Sequence, residues 1–137
     1  MDERKEAVTM KELPFKIGVY ALIIDCKDQK MLSAFYSNLL GWDVVYEDEN
    51  WRSILSPDGL KIAFQRTEEY APPVWPGEVG KPGQMMHLDF QAKDHEAAVQ
   101  HALSLGARRT SDQFYGDGCV TMLDPEGHPF CILREEH

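Results

Sequence analysis

The sequence predicts an α+β fold of two tandem βαβββ modules, and three observations predict it: an internal repeat, two helices of matched design, and a Pro-acid-Gly turn late in each half. The segment Ile24-Asp25-Cys26-Lys27-Asp28 matches Phe90-Gln91-Ala92-Lys93-Asp94. Each is the end of an apolar strand followed by an aspartate able to cap a helix. After Asp28, the residues Met31, Leu32, Phe35 and Leu39 recur at three- and four-residue spacing until Gly41. After Asp94, Ala98, Ala102 and Leu105 do the same until Gly106. An Asp cap, an amphipathic run and a terminal Gly describe a helix in both halves. The turns are Pro57-Asp58-Gly59 and Pro125-Glu126-Gly127. Asp28 and Asp94 are 66 positions apart and Gly59 and Gly127 are 68 apart, so the copies differ by two residues of loop.

In chain order, residues 1–15 are charged, lack an apolar signal-peptide core and read as a flexible lead-in. Strands are expected at 17–25, 42–47, 51–56 and 60–66, then at 85–92, 107–111, 118–123 and 129–134. The expected organisation is one domain over 16–134, with module one at 16–66, a linker at 67–83 and module two at 84–134. The linker TEEYAPPVWPGEVGKPG carries four prolines and three glycines, which exclude regular structure. Two readings stand open for it: a plain connection, or a loop folding over a cavity mouth with Trp75 as an apolar plug.

Strand alternation assigns faces. Leu60, Ile62 and Phe64 lie opposite Lys61, Ala63 and Gln65. Met86, Leu88 and Phe90 lie opposite Met85, His87, Asp89 and Gln91. Phe130 and Ile132 lie opposite Cys131 and Leu133, and Tyr20, Leu22 and Ile24 opposite Ala21 and Ile23. The apolar sets belong under the helices. The opposite faces then combine small, apolar and polar residues, a mixture suited to a pocket.

Composition narrows the functional classes. With 43% hydrophobic and 27% charged residues, 137 residues suit one globular domain. A formal net charge of −9, without a basic stripe, argues against a nucleic-acid partner. No apolar run is long enough to span a bilayer. Cys26, Cys119 and Cys131 are odd in number and form no CxxC pair, which fits free thiols and a cytoplasmic location. A Gly-rich phosphate loop after a strand is missing, so nothing points to nucleotide chemistry.

Residues 23–42, IIDCKDQKMLSAFYSNLLGW, resemble the opening strand and helix of the vicinal oxygen chelate superfamily, which includes glyoxalase I, extradiol dioxygenases and bleomycin-binding proteins. The most specific part is Phe35, Tyr36 and Leu39 to Trp42. MHLDF at 86–90 and DPEGHPFCIL at 124–133 resemble the second-half signatures, and the likeness spans residues 16–134. The stretch at 72–77, HLDF and the FCIL ending resemble a glyoxalase-like subfamily with no general reaction assigned. The resemblance implies a U-shaped, cavity-enclosing sheet, and a homodimer in which a partner module completes or covers the cavity. In metal-using members it implies up to four ligands, one each from the first and last strands of both modules. By the repeat, those slots hold Ala21, Ala63, His87 and Cys131. Two alanines ligate nothing, and one His with one Cys falls short of three protein ligands. Asp89 and Gln65 are conceivable substitutes, but no metal or other cofactor is expected.

The expected ligand-binding residues are therefore His87, Asp89, Gln65, Cys131, Trp75 and Tyr115, with no catalytic residue assigned. His87 reads equally as a hydrogen-bonding or proton-transfer group for a ligand and as a structural histidine satisfied by a neighbour. Cys131 reads as a small buried filler unless a cationic neighbour activates it. Trp75 and Tyr115 sit in Pro- or Gly-rich loops and suit stacking on a ligand, or packing. Only one of Trp51 and Arg52 points inward. His95, His101 and His128 are assigned to the surface. The expected function is binding of a small organic molecule between the modules, and the competitor is a metal-dependent lyase or dioxygenase of the same superfamily.

Overall fold

The computed structural model describes residues 11–135; positions 1–10 of the expected lead-in lie outside the described residues. Module one comprises β1 (Leu22–Cys26), α1 (Gln29–Leu40), β2 (Asp43–Glu47), β3 (Trp51–Leu55) and β4 (Lys61–Arg66). Module two comprises β5 (Leu88–Ala92), α2 (His95–Ser104), β6 (Arg108–Arg109), β7 (Cys119–Leu123) and β8 (Pro129–Arg134). The sheets have matching orders, β1-β4-β3-β2 and β5-β8-β7-β6. In each, the first strand pairs parallel with the last and the remaining pairs are antiparallel.

The helix signals act as read. The Asp28 carboxylate accepts from the Met31 N–H at 3.0 Å, and the Asp94 carboxylate from the Ala97 N–H at 3.0 Å. Gly41 ends α1 at φ 73°, a left-handed conformation that a side chain would strain. The strand starts differ from expectation. β1 begins at Leu22 rather than 17 and β5 at Leu88 rather than 85, because Leu22 pairs with Ile62 and Leu88 with Phe130 near the beginnings of β4 and β8. Earlier residues run past the ends of those partners. Tyr20, Leu60 and Met86, expected on core faces, are exposed for the same reason. β6 is short: just past it the Thr110 N–H still reaches the Thr121 carbonyl at 3.2 Å, and the Gln113 side-chain amide then bonds both the N–H and the C=O of Thr121 at 2.9 Å.

One apolar cluster serves both modules. It includes Leu32, Phe35 and Tyr36 of α1, Ile62 and Phe64 of β4, Val99 and Ala102 of α2, and Phe130 and Ile132 of β8. Each large side chain so buried contributes about 1.5–3 kcal/mol. Tyr36 stacks on Phe64 at 5.6 Å and meets Phe130 edge-on at 6.2 Å, so α1 ties the two sheets together. Among the described residues, no helix is long and apolar enough to cross a membrane.

Candidate functional site at the modules' open faces and junction

Each sheet has a helix-covered face and an open face, and matched rungs of the two open faces carry different chemistry. In module one the rung is Ile23, Ala63 and Ser53 across β1, β4 and β3. In module two it is Asp89, Cys131 and Thr121 across β5, β8 and β7. His87, just before β5, places Nε2 3.0 Å from Asp89 Oδ1. Both side chains are open to solvent, 39% and 54% exposed, whereas Cys131 is 4% exposed at the base of the sheet. The ligand-capable atoms of His87, Asp89 and Cys131 all lie within 4.8 Å of one another. Cys131 Sγ also sits 3.5 Å from Thr121 Oγ1.

No activated thiol emerges from the shifted cysteines. Burial, then Cys131 and Asp89, push the Cys119 thiol up to about 11. Burial, helped by Glu126, Asp28, Asp25 and Asp124, pushes Cys26 up to about 12. Both remain protonated at neutral pH, the opposite of what a nucleophile needs.

Module one's open face forms a hollow of about 440 Å³ lined by Tyr20, Ile23, Val45, Trp51, Ser53 and Ala63. Gln65 belongs to this sheet, paired with Asp25 and Trp51, and so does not share a strand neighbourhood with Cys131. A second cavity, about 420 Å³, lies where β1 meets β5, lined by Ile23, Tyr36, Pro73, Gln84, Met86 and His87 among others. The side-chain amide oxygen of Gln84 is buried without a hydrogen-bond partner. Of the six expected site residues, only His87 lines this groove. Trp75 and Tyr115 join a separate aromatic group through Phe114, 5.8 Å from Trp75 and 6.4 Å from Tyr115. Phe114 was missed by sequence reasoning, although the adjacent aromatics before Gly116 signal it.

A buried network also escaped sequence reading. Asp124 is wholly buried and accepts from the Tyr36 hydroxyl at 2.7 Å. Its other oxygen accepts from the N–H groups of Glu126 and His128, at 2.8 and 3.0 Å. His128 Nδ1 lies 2.8 Å from Asp124, and its Nε2 lies 2.7 Å from the Asp25 carbonyl in module one. His128 is therefore half-buried rather than on the surface. Burial opposes its charge, but the Asp124 carboxylate, the Asp25 carbonyl and Glu126 outweigh burial and hold its pKa above 6.5. His95 is likewise buried, 2.8 Å from the Ile132 carbonyl, while His101 is exposed as expected. Sequence spacing could not find these contacts, because the partners of His128 and Tyr36 are about a hundred residues away.

The metal arrangement implied by the resemblance does not fit this chain. Ala21 precedes β1 and Ala63 lies within β4, where methyl groups stand in place of ligands.

A glyoxalase-like domain model matches residues 21–133. A glyoxalase/bleomycin resistance protein/dioxygenase family enzyme from Burkholderia phytofirmans PsJN has 19% identity and a TM-score of 0.63, covering 84% of this chain and 96% of that one. A fosfomycin resistance protein from Listeria monocytogenes has 16% identity and a TM-score of 0.64, covering 89% and 96%. A possible glyoxalase from Bacillus cereus has 13% identity and a TM-score of 0.63, covering 86% and 99%. At these identities the likeness is one of fold. A search of curated protein sequences finds no significant match. With the family model spanning both modules and the strand order repeated in each, this chain belongs to the glyoxalase-like domain family.

Proposed function

We propose that the protein binds a small organic molecule in the groove between its modules, without the family's standard four-slot metal site. The observation carrying this reading is the groove of about 420 Å³, where apolar walls from Ile23, Tyr36 and Met86 surround two polar groups, His87 and the unpartnered Gln84 amide. Apolar walls with few convergent polar groups are the usual make-up of a ligand site. A buried amide oxygen without a protein partner is an acceptor open to a ligand donor. Asp89 and Cys131 extend the polar wall beyond His87. Gln65, Trp75 and Tyr115 lie outside the lining of this groove. The fosfomycin resistance relative is alike in fold, so the reading stops at the ligand's class.

Thermal-shift screening of chelator-treated protein against small carbonyl and aromatic compounds, followed by titration calorimetry, tests it. Gln84→Ala and His87→Ala each weaken binding by about 1–3 kcal/mol through a lost hydrogen bond to the ligand. Variants that bind like the parent while melting much lower would make these residues packing, and the reading would fail.

The metal-dependent lyase or dioxygenase reading is favoured by one observation, the convergence of His87, Asp89 and Cys131. A homodimer is the proposed assembly, supported by the exposed Ile17, Val19, Tyr20, Val45 and Tyr46, which a second copy would cover. Sedimentation showing only a 15.6 kDa species at micromolar concentration counts against it. Three free cysteines support a reducing, cytoplasmic setting.

A further inference from the structure

We propose that Cys119 and Cys131 form a redox modification site, a dithiol on the open face of module two that a low-molecular-weight disulfide such as glutathione disulfide converts into an intrachain disulfide. The pair lies outside the lining of the groove between the modules, and the proposal does not depend on whether that groove takes an organic ligand.

Three observations carry it. First, β7 and β8 run antiparallel with Cys119 opposite Leu133 and Thr121 opposite Cys131, so the two cysteines are diagonal neighbours on adjacent strands. Val120 and Met122 belong to the core, which puts Cys119 and Thr121 on the open face with Cys131. Twist rotates adjacent strands, bringing one diagonal together and parting the other. Here, after burial, Cys131 acts most strongly on the Cys119 thiol, by charge and by a side-chain hydrogen bond. Second, Cys119 is placed to move. A disulfide needs Cα atoms no more than about 6.8 Å apart and diagonal neighbours average roughly 7–8 Å, so closure asks for a shift on the order of 1 Å. Cys119 is the first residue of β7, directly behind Gly116 and Gly118, and its N–H reaches the Gly116 carbonyl only at a long 3.5 Å. Cys131 sits inside β8. Third, access is divided as exchange requires: Cys119 is partly exposed and Cys131 is buried. The remaining thiol, Cys26, is wholly buried in the other sheet and donates to the Gln65 carbonyl at 3.5 Å.

The exchange balances with the small disulfide as sole oxidant. The Cys119 thiol gives its proton to solvent, and its sulfur attacks one sulfur of the oxidant. The oxidant's S–S bond breaks, a mixed disulfide forms on Cys119, and one small thiolate leaves and takes up a proton. The Cys131 sulfur, deprotonated in turn, attacks the Cys119 sulfur and expels the second small thiol. Two protein thiols are thereby oxidised, and one small disulfide is reduced to two thiols. Burial raises the Cys119 thiol, so exchange is slow in both directions, because a thiol of raised pKa is also a poor leaving group. The bond fastens the start of β7 to β8, just behind the loop that carries Phe114 and Tyr115.

The test is incubation of folded, full-length, reduced protein with glutathione disulfide, followed by alkylation in denaturant and mass spectrometry. Free thiols should fall from three to one per chain. Trypsin releases residues 110–134 as one peptide, which holds both cysteines and no internal Lys or Arg. That peptide should lose two hydrogens and gain no alkyl group, while Cys26 is alkylated. The chain should stay unlinked to a second copy on a non-reducing gel, and dithiothreitol should restore all three thiols. Cys131→Ser removes the second attacking thiol, so Cys119 should hold one glutathione. Cys119→Ser should leave Cys131 alkylated, and Cys26→Ser should change nothing in the 110–134 peptide. Full alkylation of that peptide, a lasting glutathione adduct on Cys119 in the parent, a bond to Cys26, or a disulfide that forms only in urea overturns the proposal. Circular dichroism checks the fold of each variant, and the parent's peptide decides the outcome if a serine variant does not fold. Organic-ligand binding is measured on reduced protein, so either proposal fails alone.

Discussion

The late turns of the two modules have the same backbone and different loads. In module one, Ser56 Oγ accepts from the Leu60 N–H at 2.8 Å, and the Gly59 N–H reaches the Ser56 carbonyl at 3.1 Å. In module two, Asp124 Oδ1 accepts from the His128 N–H at 3.0 Å, and the Gly127 N–H reaches the Asp124 carbonyl at 2.9 Å. The first turn closes only itself. The second also binds Tyr36 of the other module and supports His128, which reaches the Asp25 carbonyl there. The open faces show the same division: module one keeps Ala21, Ile23 and Ala63 where module two has His87, Asp89 and Cys131. The scaffold is the same in both modules, and the polar chemistry of the open faces sits in the second.

Removing the aspartate breaks this comparison hardest. Asp124→Ala leaves the buried Tyr36 hydroxyl and His128 without their acceptor and should cost about 3–5 kcal/mol in urea unfolding, against about 1 kcal/mol for Ser56→Ala. Equal losses would mean that the second turn carries no more than the first.

The glycines sharpen it next. Gly59 (φ 99°) and Gly127 (φ 91°) both adopt a conformation that strains L side chains, so alanine costs about 1–2 kcal/mol at each from backbone alone. At Gly59 a new Cβ meets open space, but at Gly127 it would sit 2.8 Å from Pro72 Cβ. Gly127→Ala should therefore destabilise more, and equal unfolding midpoints would show that the linker yields.

The smallest effect is a pH dependence confined to the second turn. Folded His128 titrates above its ordinary 6.5, so its contribution is complete below that value and fades as pH rises through the higher folded pKa. The melting temperature should fall across that window in the parent and stay flatter in His128→Gln. A parent profile already flat would remove His128 from the stabilising network.

The repeat was legible because caps, terminators and turns are local: Asp28, Gly41 and Gly59 act on residues within a few positions. Strand lengths were less so, because a strand ends where its neighbour ends, and Ile17 and Val19 look like strand without having a partner. Alternation correctly put Asp89 and Cys131 on one face, since period two is intrinsic to a strand. It could not pair Gln65 with the right sheet. The Tyr36–Asp124–His128 network was invisible because burial of His128 depends on two chain segments a hundred residues apart.

The carboxylate of Glu126, in the second module's turn, accepts the backbone N–H groups of Lys27 and Asp28 at 2.5 and 2.8 Å, directly before α1. These donors stand where the first helix starts, so its entry is completed by an acceptor from the other repeat. A half-length chain ending after Arg66 would expose these N–H groups and the faces of Tyr36 and Phe35 that meet Phe130. Cutting this chain in two therefore leaves both halves unfinished, because each repeat completes the other.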